Sequence, residues 1–198
     1  MHDYAIINHN RASVGRWLGV ASLLLSYLIS LGLLKLAKIS FFENSFNFTV
    51  STGILYWLVY TLFNKFLWKI PLFKLPNIQG IWFINGKTID QNGQTLYEWS
   101  GKLDIEQTWD KIASILKTDQ SESKSYTATL RKEPGNQDEW TLYYSYDNTP
   151  HIDQQCNLLS HKGYCEITFN KANKTAKGSY FNNFGRYTFG KLNLRKSK

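Results

Sequence analysis

The chain has 198 residues, with 23 Lys and Arg against 15 Asp and Glu and a formal net charge of +8. Residues 1–76 hold seven basic and two acidic side chains, a net charge of +5, whereas residues 77–198 hold 16 and 13 and carry only +3. The C-terminal part therefore lacks the concentrated positive charge that duplex nucleic acid demands, and we expect no such partner. Its length suffices for one domain with its own core.

The first apolar run is Trp17 to Leu34, which follows two basic residues, Arg11 and Arg16. As an α-helix it covers about 27 Å, close to the hydrocarbon core of a bilayer at about 30 Å. We therefore predict an N-terminal segment over residues 1–16 and a transmembrane helix over 17–39. A cleaved signal peptide is the alternative reading of the basic start, but the run is longer than usual and no A-x-A site follows it.

A second uncharged run predicts another transmembrane helix over residues 44–64, followed by a connector over 65–76. Two basic residues precede the pair of runs, two lie between them and three follow. Because cytoplasmic segments are enriched in Lys and Arg, this count favours a hairpin with both chain termini in the cytoplasm.

Neither run contains a charged residue, so the spans show no proton relay, voltage sensor or ion-coupled site. Ser22, Ser26 and Ser30 recur every fourth residue, which places them on one stripe of the first helix. Such a stripe allows close helix packing in lipid. Packing of the two helices within one chain and self-association between chains both remain open.

From Pro76 onward the apolar period changes to two, and turn residues punctuate short runs rich in β-branched and aromatic side chains. We predict an all-β domain over residues 77–198, a small antiparallel barrel of about eight strands after the helical hairpin. The predicted strands are 79–84, 95–99, 101–107, 112–118, 124–131, 139–146, 163–169, 175–181 and 186–194.

The domain shows no pattern that points to an enzyme or a metal site. It lacks both an amphipathic helix pattern and a phosphate-binding glycine loop, which excludes nucleotide-binding α/β folds. Most acids fall on outward strand positions or in turns, so paired catalytic carboxylates are not indicated. Cys156 and Cys165 have no His or Cys at metal-ligand spacing. We expect no catalysis, no cofactor, no metal and two reduced thiols.

Alternation places several polar residues on the inward side of the strands, where a filled barrel would want hydrocarbon. These residues are Gln107, Tyr146, Asn148, Arg186 and Thr188. A buried Arg needs an anion or a carboxylate, so the pattern indicates a polar, aromatic pocket for an anionic ligand. The alternative is that Arg186 reaches the rim and pairs with Glu166 or a carbonyl.

The order of motifs resembles one known family. The motifs are Leu75-Pro76-Asn77-Ile78-Gln79-Gly80-Ile81-Trp82, then Gly101-x-Leu103-x-Ile105-x-Gln107-x-Trp109-x-Lys111-Ile112, Ser121-x-Ser123-x-Ser125, Tyr144-x-Tyr146-x-Asn148-x-Pro150, His161-x-Gly163, Gly178-x-Tyr180 and Gly185-Arg186-Tyr187-Thr188-x-Gly190. Following two spans, this set resembles the two-transmembrane, β-strand-rich effectors of bacterial cyclic-oligonucleotide-based antiphage signalling systems (CBASS).

The resemblance implies a barrel that binds a cyclic dinucleotide made by a partner nucleotidyltransferase during phage infection. It also implies that binding drives oligomerisation, that the clustered spans disrupt the bacterial inner membrane, and that the infected cell dies. The ligand-binding residues expected on this basis are Arg186, Thr188, Tyr180, Tyr146, Asn148, Gln107, Trp109 and His161. His161 has a structural role as its alternative.

Two other functions fit the residues alone. Small barrels often hold apolar molecules, so a membrane-anchored carrier or sensor of a lipid is the first alternative. A structural membrane protein without a ligand is the second.

Overall fold

The computed structural model describes residues 1–39, 51–136, 138–156, 158–170, 172–183 and 187–197. These residues form two compact units. One is a β-barrel made of residues 1–8 and 75–198, and the other is a helical unit made of residues 9–74.

The helical unit begins with α1 (Arg11–Ile39) and continues with α2 (Thr52–Lys65) and two short 3₁₀ turns. Within the described residues, one helical stretch, Arg11–Leu33, is long and apolar enough to cross a membrane. Residues 44–50 of the second predicted span lie outside the described residues.

The serine stripe of α1 makes contacts within the chain at two of its positions. The Ser22 hydroxyl is fully buried and donates to the Leu18 carbonyl at 2.7 Å. Thr52 of α2 donates to the Ser26 hydroxyl at 3.4 Å. The contact between Thr52 and Ser26 supports the intrachain alternative for this part of the stripe.

The barrel unit contains nine strands among the described residues. They are β1 (His2–Ile6), β2 (Gly80–Ile89), β3 (Thr95–Gln107), β4 (Lys111–Lys117), β5 (Ser121–Lys132), β6 (Glu139–Pro150), β7 (His161–Asn170), β8 (Thr175–Asn183) and β9 (Phe189–Lys196). Their order around the closed barrel is β1-β4-β3-β2-β9-β8-β7-β6-β5, with β4 also paired to β5. The all-β prediction is confirmed, and the predicted strands 95–99 and 101–107 form one continuous strand.

Strand β1 was not predicted. It lies between β4 and β5, which pair with each other only over Ile115–Lys117 and then diverge. β1 fills the resulting gap, antiparallel to β4 and parallel to β5. The barrel wall is therefore completed by a segment that precedes the first helix in the chain.

The two ends of the barrel differ in their filling. At the end where Gln107 and Leu130 lie, buried hydrocarbon packs across the lumen, and the rings of Trp82 and Phe169 meet edge to face with centroids 4.8 Å apart. Both chain connections to the helical unit leave from this end. The Ile7 backbone N–H donates a hydrogen bond to the Leu130 carbonyl, and the Gln107 side chain donates one to the Pro76 carbonyl. The opposite end remains open.

Candidate ligand-binding cavity

The open end of the barrel leads into a cavity of about 390 Å³. Ligand pockets in proteins typically measure about 300–1,000 Å³. The turn at Thr118–Ser121 and the connection around Leu158 border its mouth. Its walls include Trp99, Ser123, Tyr144, Tyr146, Asn148, His161, Tyr180, Asn182 and Leu192.

Three of the cavity's aromatic rings lie flat against the barrel wall because each faces a glycine on the adjacent strand. The pairs are Trp99 with Gly86, Tyr146 with Gly163 and Tyr180 with Gly190. A Cβ at any of these glycines would overlap the paired ring. Since a ring cannot lie over a side chain in this way, the glycines leave the space in front of the rings free for a ligand.

Hydrogen bonds fix the aromatic corner of the cavity. The Tyr180 hydroxyl lies 2.7 Å from the Thr88 hydroxyl and accepts a bond of 3.2 Å from the Trp99 indole nitrogen. The Trp99 and Tyr180 rings meet edge to face with centroids 5.7 Å apart. The corner is therefore pre-organised, with π faces suited to stacking against a planar ligand group.

Asn148 presents an unpaired donor at the cavity. Its side chain is 4% exposed, and its Oδ1 accepts a hydrogen bond of 2.8 Å from the Ser123 hydroxyl. Its Nδ2 has no hydrogen-bond partner among the described residues. A buried donor left unpaired costs about 1–3 kcal/mol. A ligand oxygen that accepts a hydrogen bond from Nδ2 would remove this cost.

The residues near the mouth form a connected polar chain. The Tyr146 hydroxyl donates to Asn182 Oδ1 at 2.6 Å, and Asn182 Nδ2 donates to the Thr188 hydroxyl at 2.9 Å. His161, which begins β7, lies with one ring nitrogen 3.0 Å from the Leu159 carbonyl. Tyr146, Asn148, His161 and Tyr180 are thus brought together at the cavity, with Thr188 beside them.

Gln107 and Trp109, two of the predicted ligand-binding residues, are not brought to the cavity. Gln107 lies at the closed end, where it accepts a bond from the Ile78 backbone and donates to Pro76 and to the Tyr4 hydroxyl. Trp109 is buried in the turn after β3, at the same end. The alternation along a strand predicts which side chains point inward, but it does not predict at which end of the barrel they lie. Arg186 lies outside the described residues.

Trp99 and Asn182 line the cavity but were not among the predicted site residues. Trp99 shares the inward phase of Leu103 and Ile105. The strand boundary predicted at residue 99 interrupts that phase before Gly101. Asn182 lies two residues beyond inward-facing Tyr180, one residue past the predicted end of its strand.

Two buried titratable groups belong to the described lining. Its residues include no Lys or Arg. Burial raises the pKa of the Cys165 thiol to about 12 and also raises the pKa of the Tyr144 phenol. Both groups therefore stay protonated at neutral pH, and the thiol is not activated as a nucleophile.

A closed barrel with a polar, aromatic cavity, preceded by an apolar helix of membrane-spanning length, is the architecture expected of a membrane-attached receptor for a small ligand. Comparison with known proteins agrees with this class. Residues 73–196 match the family model "Cap15, cyclic dinucleotide receptor domain", and residues 12–69 match "Cap15, TM helices". The chain belongs to the Cap15 family and is a CBASS effector.

A curated relative covers nearly the whole chain. It is CD-NTase-associated protein 15 of Yersinia aleksiciae, which is 34% identical over 207 residues, corresponding to 98% of this chain and 96% of the relative. The family match supports the cyclic dinucleotide as the ligand class, confirms the resemblance stated above, and indicates association with a membrane.

Proposed function

We propose that a cyclic dinucleotide binds in the open half of the barrel and converts the chain into a membrane-disrupting oligomer. The observation that carries this proposal is the unpaired Nδ2 of buried Asn148, which lines a cavity walled by aromatic rings. A cyclic dinucleotide supplies two planar bases for such rings and several oxygens that accept from such a donor.

Within the proposed site, Trp99, Tyr146 and Tyr180 stack against the bases or border them. Asn148 donates to a ligand oxygen, and Asn182 and Thr188 orient the polar rim. His161 lines the wall with one ring nitrogen beside the Leu159 carbonyl.

The phosphate charge calls for a cation, which the described lining residues do not include. We assign this role to Arg186, because guanidinium binds phosphate through two parallel hydrogen bonds. This assignment rests on the sequence, in which Arg186 follows β8 by three residues and precedes Thr188 by two.

The membrane part of the proposal follows from the helical unit. We propose that residues 17–39 and 44–64 form a hairpin in the bacterial inner membrane with both termini in the cytoplasm. Residues 65–76 then connect it to a cytoplasmic domain over 77–198, to which β1 is added. A partner nucleotidyltransferase supplies the ligand during infection, and clustering of the hairpins kills the infected cell. The chain itself acts as a sensor and carries out no reaction.

A binding experiment tests the ligand assignment. The full chain in detergent is titrated with cyclic di-AMP, cyclic di-GMP, cyclic GMP–AMP, cyclic di-UMP and, separately, a fatty acid. We expect at least one cyclic dinucleotide to bind and Asn148→Ala to weaken its binding by about tenfold, the value of one hydrogen bond to a charged or polar ligand atom.

Ser114→Ala is the matched control, because the Ser114 hydroxyl is also buried and unpaired among the described residues but does not line the cavity. Its affinity should equal that of the wild type. Fatty acid binding without any nucleotide binding would contradict the proposal and favour a lipid carrier.

A further inference from the structure

A row of apolar side chains crosses the outside of the barrel just below its mouth. Register pairs Ile89 of β2 with Phe189 of β9, Phe189 with Phe181 of β8, and Phe181 with Tyr164 of β7. Phe181 is 53% exposed and Phe189 is 37% exposed. Adjacent strands lie about 4.8 Å apart, so this row, the outer aromatic row, runs for about 14 Å across four strands.

The outer aromatic row lies directly behind the ligand cavity. Tyr180 and Asn182 of β8 face inward and line the cavity, and Phe181 between them faces outward. One strand thus separates the two surfaces.

The next row away from the mouth carries opposite charges on the two sides of β8. Lys191 of β9 pairs in register with Ser179 of β8, which pairs with Glu166 of β7. Ser179 donates to Glu166 at 3.1 Å. Lys191 is exposed, has no ion-pair partner among the described residues, and lies beside Lys87. A cation on one side of β8 and an acid on the other make this face complementary to itself.

We propose that two copies of this chain pair through this face, around a two-fold axis that runs along β8. Such an axis places Phe181 of one copy on Phe181 of the other, and Lys191 of each copy opposite Glu166 of its neighbour. It also exchanges Phe189 with Tyr164 across the pair. The inference rests on the oligomerisation in the proposed function and names the surface that it uses.

The axis also satisfies the constraint that a shared membrane imposes. Both chain connections leave the barrel at the end opposite the mouth. Copies of one chain inserted in one bilayer share the same orientation relative to it, and an axis along a strand leaves both mouths on the same side of the pair. An axis perpendicular to β8 would invert one barrel relative to the other.

One residue limits the extent of this contact. Lys177 is exposed on β8, one row further from the mouth, and the axis brings it opposite its own copy. Like charges repel, so the contact is confined to the two rows nearest the mouth. Specific interfaces bury about 1,600 Å², which two short rows on a curved barrel do not reach. The pairing therefore needs the high effective concentration that a membrane gives its anchored chains.

Crosslinking of the full chain in liposomes tests the proposed axis. Ser179→Cys, made together with Cys156→Ser, places one thiol on the axis, and Glu106→Cys in the same background places one on the outer face of β3. We expect a short bis-maleimide to give dimers with Ser179→Cys and not with Glu106→Cys. Equal dimer yields from the two positions would overturn the proposal.

Charge exchange provides the second arm. Lys191→Glu or Glu166→Lys alone should lower the dimer yield by about tenfold, and both together should restore it. Lys177→Ser should raise the yield, a gain that misfolding cannot produce. Asp104→Lys, which makes the same charge change on β3 as Glu166→Lys makes on β7, should have no effect. Failure of the double exchange to restore the dimer would overturn the Lys191–Glu166 contact.

The same variants separate this inference from the ligand assignment. Each should bind the cyclic dinucleotide that binds the wild-type chain with unchanged affinity. If no cyclic dinucleotide binds, the ligand assignment fails, whereas crosslinking at a high protein-to-lipid ratio still tests the surface. Absence of the dimer, together with quenching by brominated lipid of a fluorophore attached to Ser179→Cys in the Cys156→Ser background that Phe181→Asp abolishes, would assign the row to the bilayer surface and overturn the pairing.

Discussion

At the scale of single residues, the cavity depends on what is missing from three strand positions. Gly86, Gly163 and Gly190 each lie beneath an aromatic ring, and a Cβ at any of them would overlap it. Large inward-facing rings would otherwise fill the lumen of so small a barrel. The glycines therefore allow the rings to lie against the barrel wall and leave the cavity open.

Gly163→Ala tests this relation. The added methyl group would overlap the Tyr146 ring and force it toward the lumen. We expect the affinity for the cyclic dinucleotide to fall by at least about tenfold, with a loss of about 1–3 kcal/mol in the free energy of unfolding from overpacking. Isothermal titration and thermal unfolding measure the two effects.

Gly93→Ala is the control for that experiment. Gly93 has a φ of 81° in the turn between β2 and β3, and nothing lies near its missing Cβ. The substitution costs about 1 kcal/mol of stability for backbone reasons alone, without a change in affinity. If Gly163→Ala bound the ligand as well as Gly93→Ala does, the glycine beneath Tyr146 would have no role in keeping the site open.

At the scale of elements, the least expected feature is β1. Its five residues pair with positions 111–112 and 128–130, more than 100 residues away in the chain. The segment is too short to show a clear period of two, and nothing local marks a gap between β4 and β5. The remaining strands were predictable because each carries its own alternation and turn residues.

Two neighbouring isoleucines test the role of β1. Ile6 is 7% exposed in the barrel core and Ile7 is 42% exposed. We expect Ile6→Ser to lower the free energy of unfolding of the barrel by about 2–4 kcal/mol, because it removes buried hydrocarbon and buries a hydroxyl. Ile7→Ser should change it by less than about 0.5 kcal/mol. Tryptophan fluorescence during denaturation compares the two variants, in which the helical-unit residues Trp17, Trp57 and Trp68 are unchanged. Equal effects at the two positions would contradict a buried β1.

At the scale of the whole molecule, the cavity and the chain connections lie at opposite ends of the barrel. Under the proposed function, ligand binding shifts the population of membrane-active assemblies, and a ligand can shift an equilibrium only by its differential affinity for the two states. Weaker binding should therefore raise the ligand concentration needed for activity without changing the maximal activity.

Dye release from liposomes containing the full chain tests this linkage. Asn148→Ala should raise the half-maximal ligand concentration by the factor by which it raises Kd, and leave the maximal release unchanged. Ser26→Leu places a bulky side chain where α1 meets Thr52. This variant should lower the maximal release and leave Kd unchanged. Release that does not depend on ligand in either variant would disconnect the cavity from the membrane activity.

Local patterns along the chain are enough to predict the class of structure and of protein. Period-two alternation with turn residues predicts the barrel strands, an uncharged apolar run predicts the first helix, and ordered motifs indicate the family. These signals are local, because each depends on residues that neighbour one another in the chain.

Which inward-facing residues meet depends instead on contacts between strands. Gln107 and Asn148 share the same inward phase on their strands, yet one completes a closed, hydrogen-bonded end and the other lines the cavity. Depth in a barrel is set by register between strands, by the rings that glycines accommodate, and by β1 from the far end of the chain. Those relations join residues distant in sequence, so no local pattern records them.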